Sequence, residues 1–118
     1  MAKHIEVGKL GEELAVAWLM EKGYAILHRN WRHGKDEIDI IATRGEFLHF
    51  VEVKTRNSSP FGYPEDSVTK KKFKKLQRVA DEYLFRNPGH EWIQYDVLAI
   101  ILHQEKEHEY FLLEDVFL

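Results

Sequence analysis

The sequence predicts a single α/β domain, a mixed sheet of about five strands flanked by two helices. Three observations carry that expectation. Residues 4–22 and the stretch from Thr69 to about Arg86 repeat apolar side chains at helical spacing. Short runs rich in Ile, Val, Phe, Tyr and Trp, bounded by Gly, Pro and Asn, read as strands. Their order is helix, strand, hairpin, helix, strand, strand, so strands stand on both sides of a helix. At 118 residues the chain has room for one modest core.

The first helix carries Val7, Leu10, Leu14, Ala17 and Trp18 as an apolar stripe. Gly8 and Gly11 each cost a helix interior ~1 kcal/mol relative to Ala, so their expected use is close approach of another backbone or a ligand. GKLG is not a phosphate-binding loop, because no strand precedes it and no Lys-Ser/Thr follows. Gly23 closes the helix as a left-handed cap. Tyr24 to Trp31 reads as a strand, and His33-Gly34-Lys35 as a turn.

Asp36 to Arg56, DEIDIIATRGEFLHFVEVKTR, reads as a hairpin closed by Arg44-Gly45 or Gly45-Glu46. Asn57 to Pro64, NSSPFGYP, is a loop by composition, placed either to cover the hairpin end or simply to connect. Thr69 is the expected N-cap of the second helix, whose buried face is Phe73, Leu76, Ala80, Tyr83 and Leu84. After the break at Asn87-Pro88-Gly89, Trp92 to Leu102 and Glu109 to Leu113 read as strands joined by a polar turn. Asp96 interrupts the first of these; it suits support of a site from behind, or equally a buried aspartate with a backbone partner.

Composition excludes several classes of function. With no cysteine there is no disulfide, thiolate chemistry or Cys-based zinc site. No apolar run reaches the ~20 residues of a membrane span. Glu6, Glu12 and Glu13 interrupt the first twenty residues, unlike a secretory segment, so a cytoplasmic protein without a membrane partner is expected. The seven histidines are scattered and receive no chemistry. A net charge of −3 does not point to nucleic acid, but the distribution does. Lys70, Lys71, Lys72, Lys74, Lys75 and Arg78 place six cations in nine residues at the start of the second helix. Cations there oppose the helix macrodipole, whereas phosphate suits that end. A solvated lysine face is the plain explanation; a phosphate partner explains the position better.

The hairpin holds the candidate chemistry. Glu37, Asp39, Glu52 and Lys54 interrupt strands of Ile, Phe and Val, where an unpaired charge is costly. Alternation puts Glu37 with Asp39 on one face, and Glu52 with Lys54 on one face. A two-residue turn makes it the same face. A buried ion pair around Lys54 accounts poorly for three acids against one base. Two or three carboxylates around one cation suit a hard divalent metal such as Mg²⁺. Glu12, flanked by Ala15, Val16 and Leu19, is a candidate further acid, although a solvated glutamate like Glu13 fits the spacing equally well.

The element order with D-x12-E-x-K in its hairpin resembles the restriction-endonuclease-like nucleases. The chain is similar over nearly its whole length to the small bacterial YraN-like family of predicted endonucleases, relatives of archaeal Holliday-junction resolvases. GKLGEELAVAWLMEKGYAILHRNWR, DEIDIIA, FVEVKTR, the lysine-rich helix with A-x-x-Y-L, and YDVLAI carry the likeness. The resemblance implies a restriction-endonuclease-like sheet and metal-dependent phosphodiester hydrolysis, in DNA repair or recombination. It assigns Glu12 as the helix acid, Asp39 and Glu52 as metal-binding acids, and Lys54 as the catalytic lysine. Mg²⁺ or Mn²⁺ would be the cofactor and DNA the partner. Arg56, Lys70, Lys71, Lys74, Lys75 and Arg78 would hold the phosphate backbone without reading sequence. Cutting both strands needs two sites, which a homodimer would supply. Two other functions suit the same residues: a DNA-binding module that does not cut, and a protein-interaction domain with a structural ion-pair cluster.

Overall fold

The structure is a computed structural model that describes residues 2–58 and 69–116, with side chains from residue 7 onward. Its elements are α1 (Ala2–Glu21), β1 (Ala25–His33), β2 (Asp36–Arg44), β3 (Phe47–Asn57), α2 (Lys70–Arg86), β4 (Trp92–Leu102) and β5 (Glu109–Leu113). The strands form one sheet in the order β1-β2-β3-β4-β5. β1, β2 and β3 pair antiparallel, β4 runs parallel to β3, and β5 returns antiparallel. The expected mixed sheet with two helices is therefore the observed one. From Ser59 the expected loop lies outside the described residues. Among the described residues, no helix is long and apolar enough to cross a membrane.

Each helix covers one face. Ala15 and Leu19 of α1 pack with Ile40, Ala42, Val51, Leu98, Ile100 and Leu102 of the sheet. Phe73, Leu76, Val79, Ala80 and Tyr83 of α2 pack with Ile38, Ile41, Leu48 and Phe50. Burying each of these large side chains contributes about 1.5–3 kcal/mol, so the two half-cores together hold the sheet between the helices.

The stripe expected on α1 is corrected in part. Leu10 is 46% exposed and Ala17 faces out, while Gly11, Ala15 and Leu19 form the buried line. The reason is closeness of approach: a Cβ on Gly11 would run into the Thr55 side chain of β3. A face of small residues lets α1 settle against β3, and the bulkier Leu10 face turns to solvent. The helix ends with Gly23 N–H donating to the Met20 carbonyl and Tyr24 N–H donating to the Leu19 carbonyl.

Arg44 pairs with Phe47, so the β2–β3 turn is the two residues Gly45-Glu46. Gly45 has φ 62°, a conformation that costs glycine little. The rungs run regularly to Ile40 opposite Val51. There the ladder opens, and the Asp39 carboxylate accepts a hydrogen bond from Val53 N–H at 2.8 Å. Alternation along β2 also fails at this point: Ile38 packs with α2 but Ile40, two residues on, packs with α1. Across from Asp39 on β1 the pairing skips Asn30, which has φ 53°.

Candidate active site

The splay of β2 from β3 builds the site. Two hollows meet at Glu52, which lines both. The first, of about 550 Å³, lies toward α1 and is lined by Gly8, Glu12, Asp39, Glu52, Thr55 and Arg56 among others. The second, of about 330 Å³, lies toward α2 and is lined by Asp36, Glu37, Glu52, Lys54, Lys72, Lys75 and Leu76. The alternation argument is thereby corrected. Glu37 and Asp39 do not share a face, because the irregularity at Asp39 turns it toward α1 while Glu37 stays on the α2 side.

Asp39 and Glu52 are nonetheless neighbours, with carboxyl groups within hydrogen-bonding reach. Burial, and then the Glu52 charge, push the Asp39 carboxyl up to about 7; only the Val53 N–H works the other way among the leading influences. Glu52 is also raised, by burial first, with the Lys54 ammonium opposing. Lys54 is lowered by burial and then by the charge of Lys72 beside it. Two half-buried acids whose carboxyls are both raised by burial are short of positive charge. Among the described residues, no ion pair within 4 Å joins Lys54 to either acid, so a buried salt bridge does not account for the cluster.

Glu12 stands on the rim of the Asp39 hollow, and its charge adds to the upward push on Asp39. Its Oε1 accepts from Asn30 Nδ2 at 3.0 Å, so the unusual backbone of Asn30 also tethers the helix acid. Glu13, the adjoining acid of the same helix, is exposed and pairs with Arg29 at 2.8 Å. Among the described residues, no three His, Asp or Glu side chains already converge at metal-holding spacing.

The sequence pattern described as "Uncharacterised protein family UPF0102" matches residues 11–100. The chain belongs to this family. A UPF0102 protein of Phocaeicola vulgatus is 45% identical over 101 residues, covering 86% of this chain and 84% of its own. One from Flavobacterium psychrophilum is 43% identical over 117 residues, covering 99% and 98%. One from Chlorobium phaeobacteroides is 48% identical over 99 residues, covering 83% and 79%. The UPF0102 match spans Glu12, Asp39, Glu52, Lys54 and the lysines of α2. It ends before β5, which lines neither hollow.

The remaining expected residues fall in two groups. Arg56 lines the Asp39 hollow, its Nη1 donating to the Thr55 carbonyl at 2.7 Å. Lys75 is half-buried in the second groove, while Lys70, Lys71, Lys74 and Arg78 are exposed on α2. Lys72, counted in the cation run but not among the residues expected to hold phosphate, lines the same groove as Lys54 and Glu52. Its signal was available, since it lies three residues before Lys75 and beside the buried Phe73. Asp96 belongs elsewhere. It accepts from Asp115 N–H at 3.0 Å and meets His49 Nδ1 at 2.6 Å, both groups being buried.

Proposed function

We propose that this UPF0102 chain is a metal-dependent endonuclease of restriction-endonuclease-like descent, hydrolysing phosphodiester bonds in DNA during repair or recombination. One observation carries the reading. Asp39 and Glu52 are held together at the mouth of a strand splay, both short of positive charge, with Lys54 next along the strand from Glu52. That donor set fits Mg²⁺ or Mn²⁺, which use one or two carboxylates and fill their remaining positions with water and substrate phosphate. Asp39 and Glu52 would hold the ion, and Glu12 is the third acid of the set. When bound, such an ion stabilises charge on the scissile phosphate and lowers the pKa of the attacking water.

The chain's own groups do the rest. Asp39 is fixed in place by Val53 N–H, so the pair is oriented before any ligand arrives. Lys54 donates to a phosphate oxygen or to the attacking water. Arg56 and the lysines of α2 hold the backbone on either side. Cutting both strands of a duplex would take two copies of the chain.

A second reading is a DNA-binding module of the same fold that does not cut. It is favoured by Lys54 opening on the Lys72–Lys75 groove rather than on the Asp39 hollow. A cleavage panel of single-stranded, duplex, flap and four-way DNA with Mg²⁺ and Mn²⁺ decides. Cutting that disappears in Glu52→Gln supports the nuclease. Metal-independent binding with no cutting of any substrate supports the module, and no binding at all overturns both.

A further inference from the structure

We propose that Asn30 of β1 is a positioning residue that aims the Glu12 carboxylate at a divalent cation held by Asp39 and Glu52. The cation rests on the reading of Asp39 and Glu52 as a metal pair; the tether itself rests on geometry. Asn30 has φ 53°, a left-handed backbone in the middle of a strand, which Asn tolerates better than most side chains. On either side of it the ladder is regular, with Arg29 opposite Ile40 and Trp31 opposite Ile38. Between these rungs Asn30 and Asp39 stand opposite each other without pairing. Backbone outliers of this kind gather at functional sites, and this one lies across from the acid on which the site is built.

From that position the Asn30 side chain reaches α1, its Nδ2 donating to Glu12 Oε1 at 3.0 Å. The adjoining pair supplies the contrast. Arg29 Nη1 donates to Glu13 Oε1 at 2.8 Å, so two successive residues of β1 hold two successive acids of α1. The guanidinium of Arg29 cancels the charge of Glu13. An amide is neutral: it fixes one oxygen of Glu12 and leaves the charge uncancelled and the other oxygen open to a cation. Glu12 lines the hollow with Asp39 and Glu52, whereas Asn30 lines neither hollow. Asn30 therefore acts through Glu12 and touches no ligand itself. Carboxylates that hold metals are oriented by hydrogen bonds from behind in this way, and losing such a bond lowers metal affinity about 10–100-fold.

A double-mutant cycle on Mn²⁺ affinity, read by calorimetry with Asn30→Gly and Glu12→Gln, tests the assignment. Glycine keeps the left-handed backbone and removes the amide, so Asn30→Gly should melt close to the parent in chelator. It should weaken Mn²⁺ binding by about tenfold, and add nothing further once Glu12 is replaced by Gln. Arg29→Ala, which frees Glu13, should change the affinity by no more than about twofold. In the metal-free protein, the NMR signals of the Asn30 side-chain amide should shift in Glu12→Gln and stay in place in Glu13→Gln. An amide unmoved by Glu12→Gln overturns the tether. Additive losses from Asn30→Gly and Glu12→Gln overturn its action through Glu12. Mn²⁺ binding that is lost in Glu52→Gln but unaltered in Asn30→Gly overturns the proposal and leaves the metal reading standing. A parent that binds no Mn²⁺, while the amide still responds to Glu12→Gln, overturns the metal reading and with it any role of Asn30 toward a cation.

Discussion

At the scale of single residues, the Asp39 carboxyl has the clearest pH signature. The folded protein keeps its proton up to about pH 7, whereas the ordinary value is 3.8. Between those values the folded state binds more protons than the unfolded chain, so stability falls as pH rises through that window. Asp39→Asn should remove the fall and leave the metal-free variant more stable than the parent above pH 7. Its margin should be on the order of 1–4 kcal/mol, at about 1.4 kcal/mol per pH unit. Denaturant unfolding at pH 5 and pH 8 in the presence of a chelator measures it, and a flat parent profile would contradict the assignment.

Glu52 and Lys54 should separate chemically. Glu52→Gln keeps the shape but removes a charge from the acid pair, so divalent-metal affinity and cleavage should fall together. Lys54→Ala removes the foremost of the cations that oppose proton uptake by Glu52, and leaves both acids in place. Calorimetric metal titration should show binding retained, while cleavage drops by ~10²-fold or more if Lys54 positions water or phosphate. A Lys54→Ala protein that melts far below the parent, and is not restored by Mg²⁺, would make the lysine structural.

At the scale of elements, α1 owes its position to Gly11 lying against Thr55 of β3. Gly11→Ala should force the helix outward and cost about 1–3 kcal/mol, the usual range for overpacking. Thr55→Ala in the same chain should recover part of that loss, a coupling that a double-mutant cycle of thermal melts detects. Equal costs with and without Thr55 would mean that the two do not touch. For α2, neutralising Lys71, Lys74 and Lys75 together should weaken DNA binding across all sequences. Every phosphate that a lysine no longer neutralises should reduce the log–log salt slope by ~0.7–0.9, so an unchanged slope would identify those lysines as a solvated face.

At the scale of the whole molecule, the parallel β3–β4 pair joins the two halves of the sheet, and His49 with Asp96 sits buried across it. Asp96 also accepts from Gln94 Nε2 at 3.3 Å and from Asp115 N–H beyond β5. Asp96→Ala would leave the buried His49 ring without its partner and take the acceptor from Gln94 and Asp115, and should cost about 3–5 kcal/mol, the range for breaking a buried pair. Metal affinity per folded molecule should stay the same, since Asp96 lines neither hollow. A change in that affinity at constant folded fraction would instead tie Asp96 to the acid pair.

The class of fold, the order of elements and the acids of the hairpin were all legible along the chain. Period and turn chemistry are local properties, and they placed β4 and β5 at Trp92–Leu102 and Glu109–Leu113 and kept the β2–β3 turn to two residues. Strict alternation broke down at Asp39, because a carboxylate that replaces a ladder acceptor bends the strand, and no two-residue period encodes that bend. The buried line of α1 was hidden for a similar reason: Leu10 and Leu19 are equally apolar, and only Thr55 on another element decides which face can come close. Lys72 looked like one of six equivalent cations until the packing of α2 on the sheet set it beside Lys54. Which charges meet depends on packing between distant segments, and that is written in the fold rather than in any one stretch of the chain.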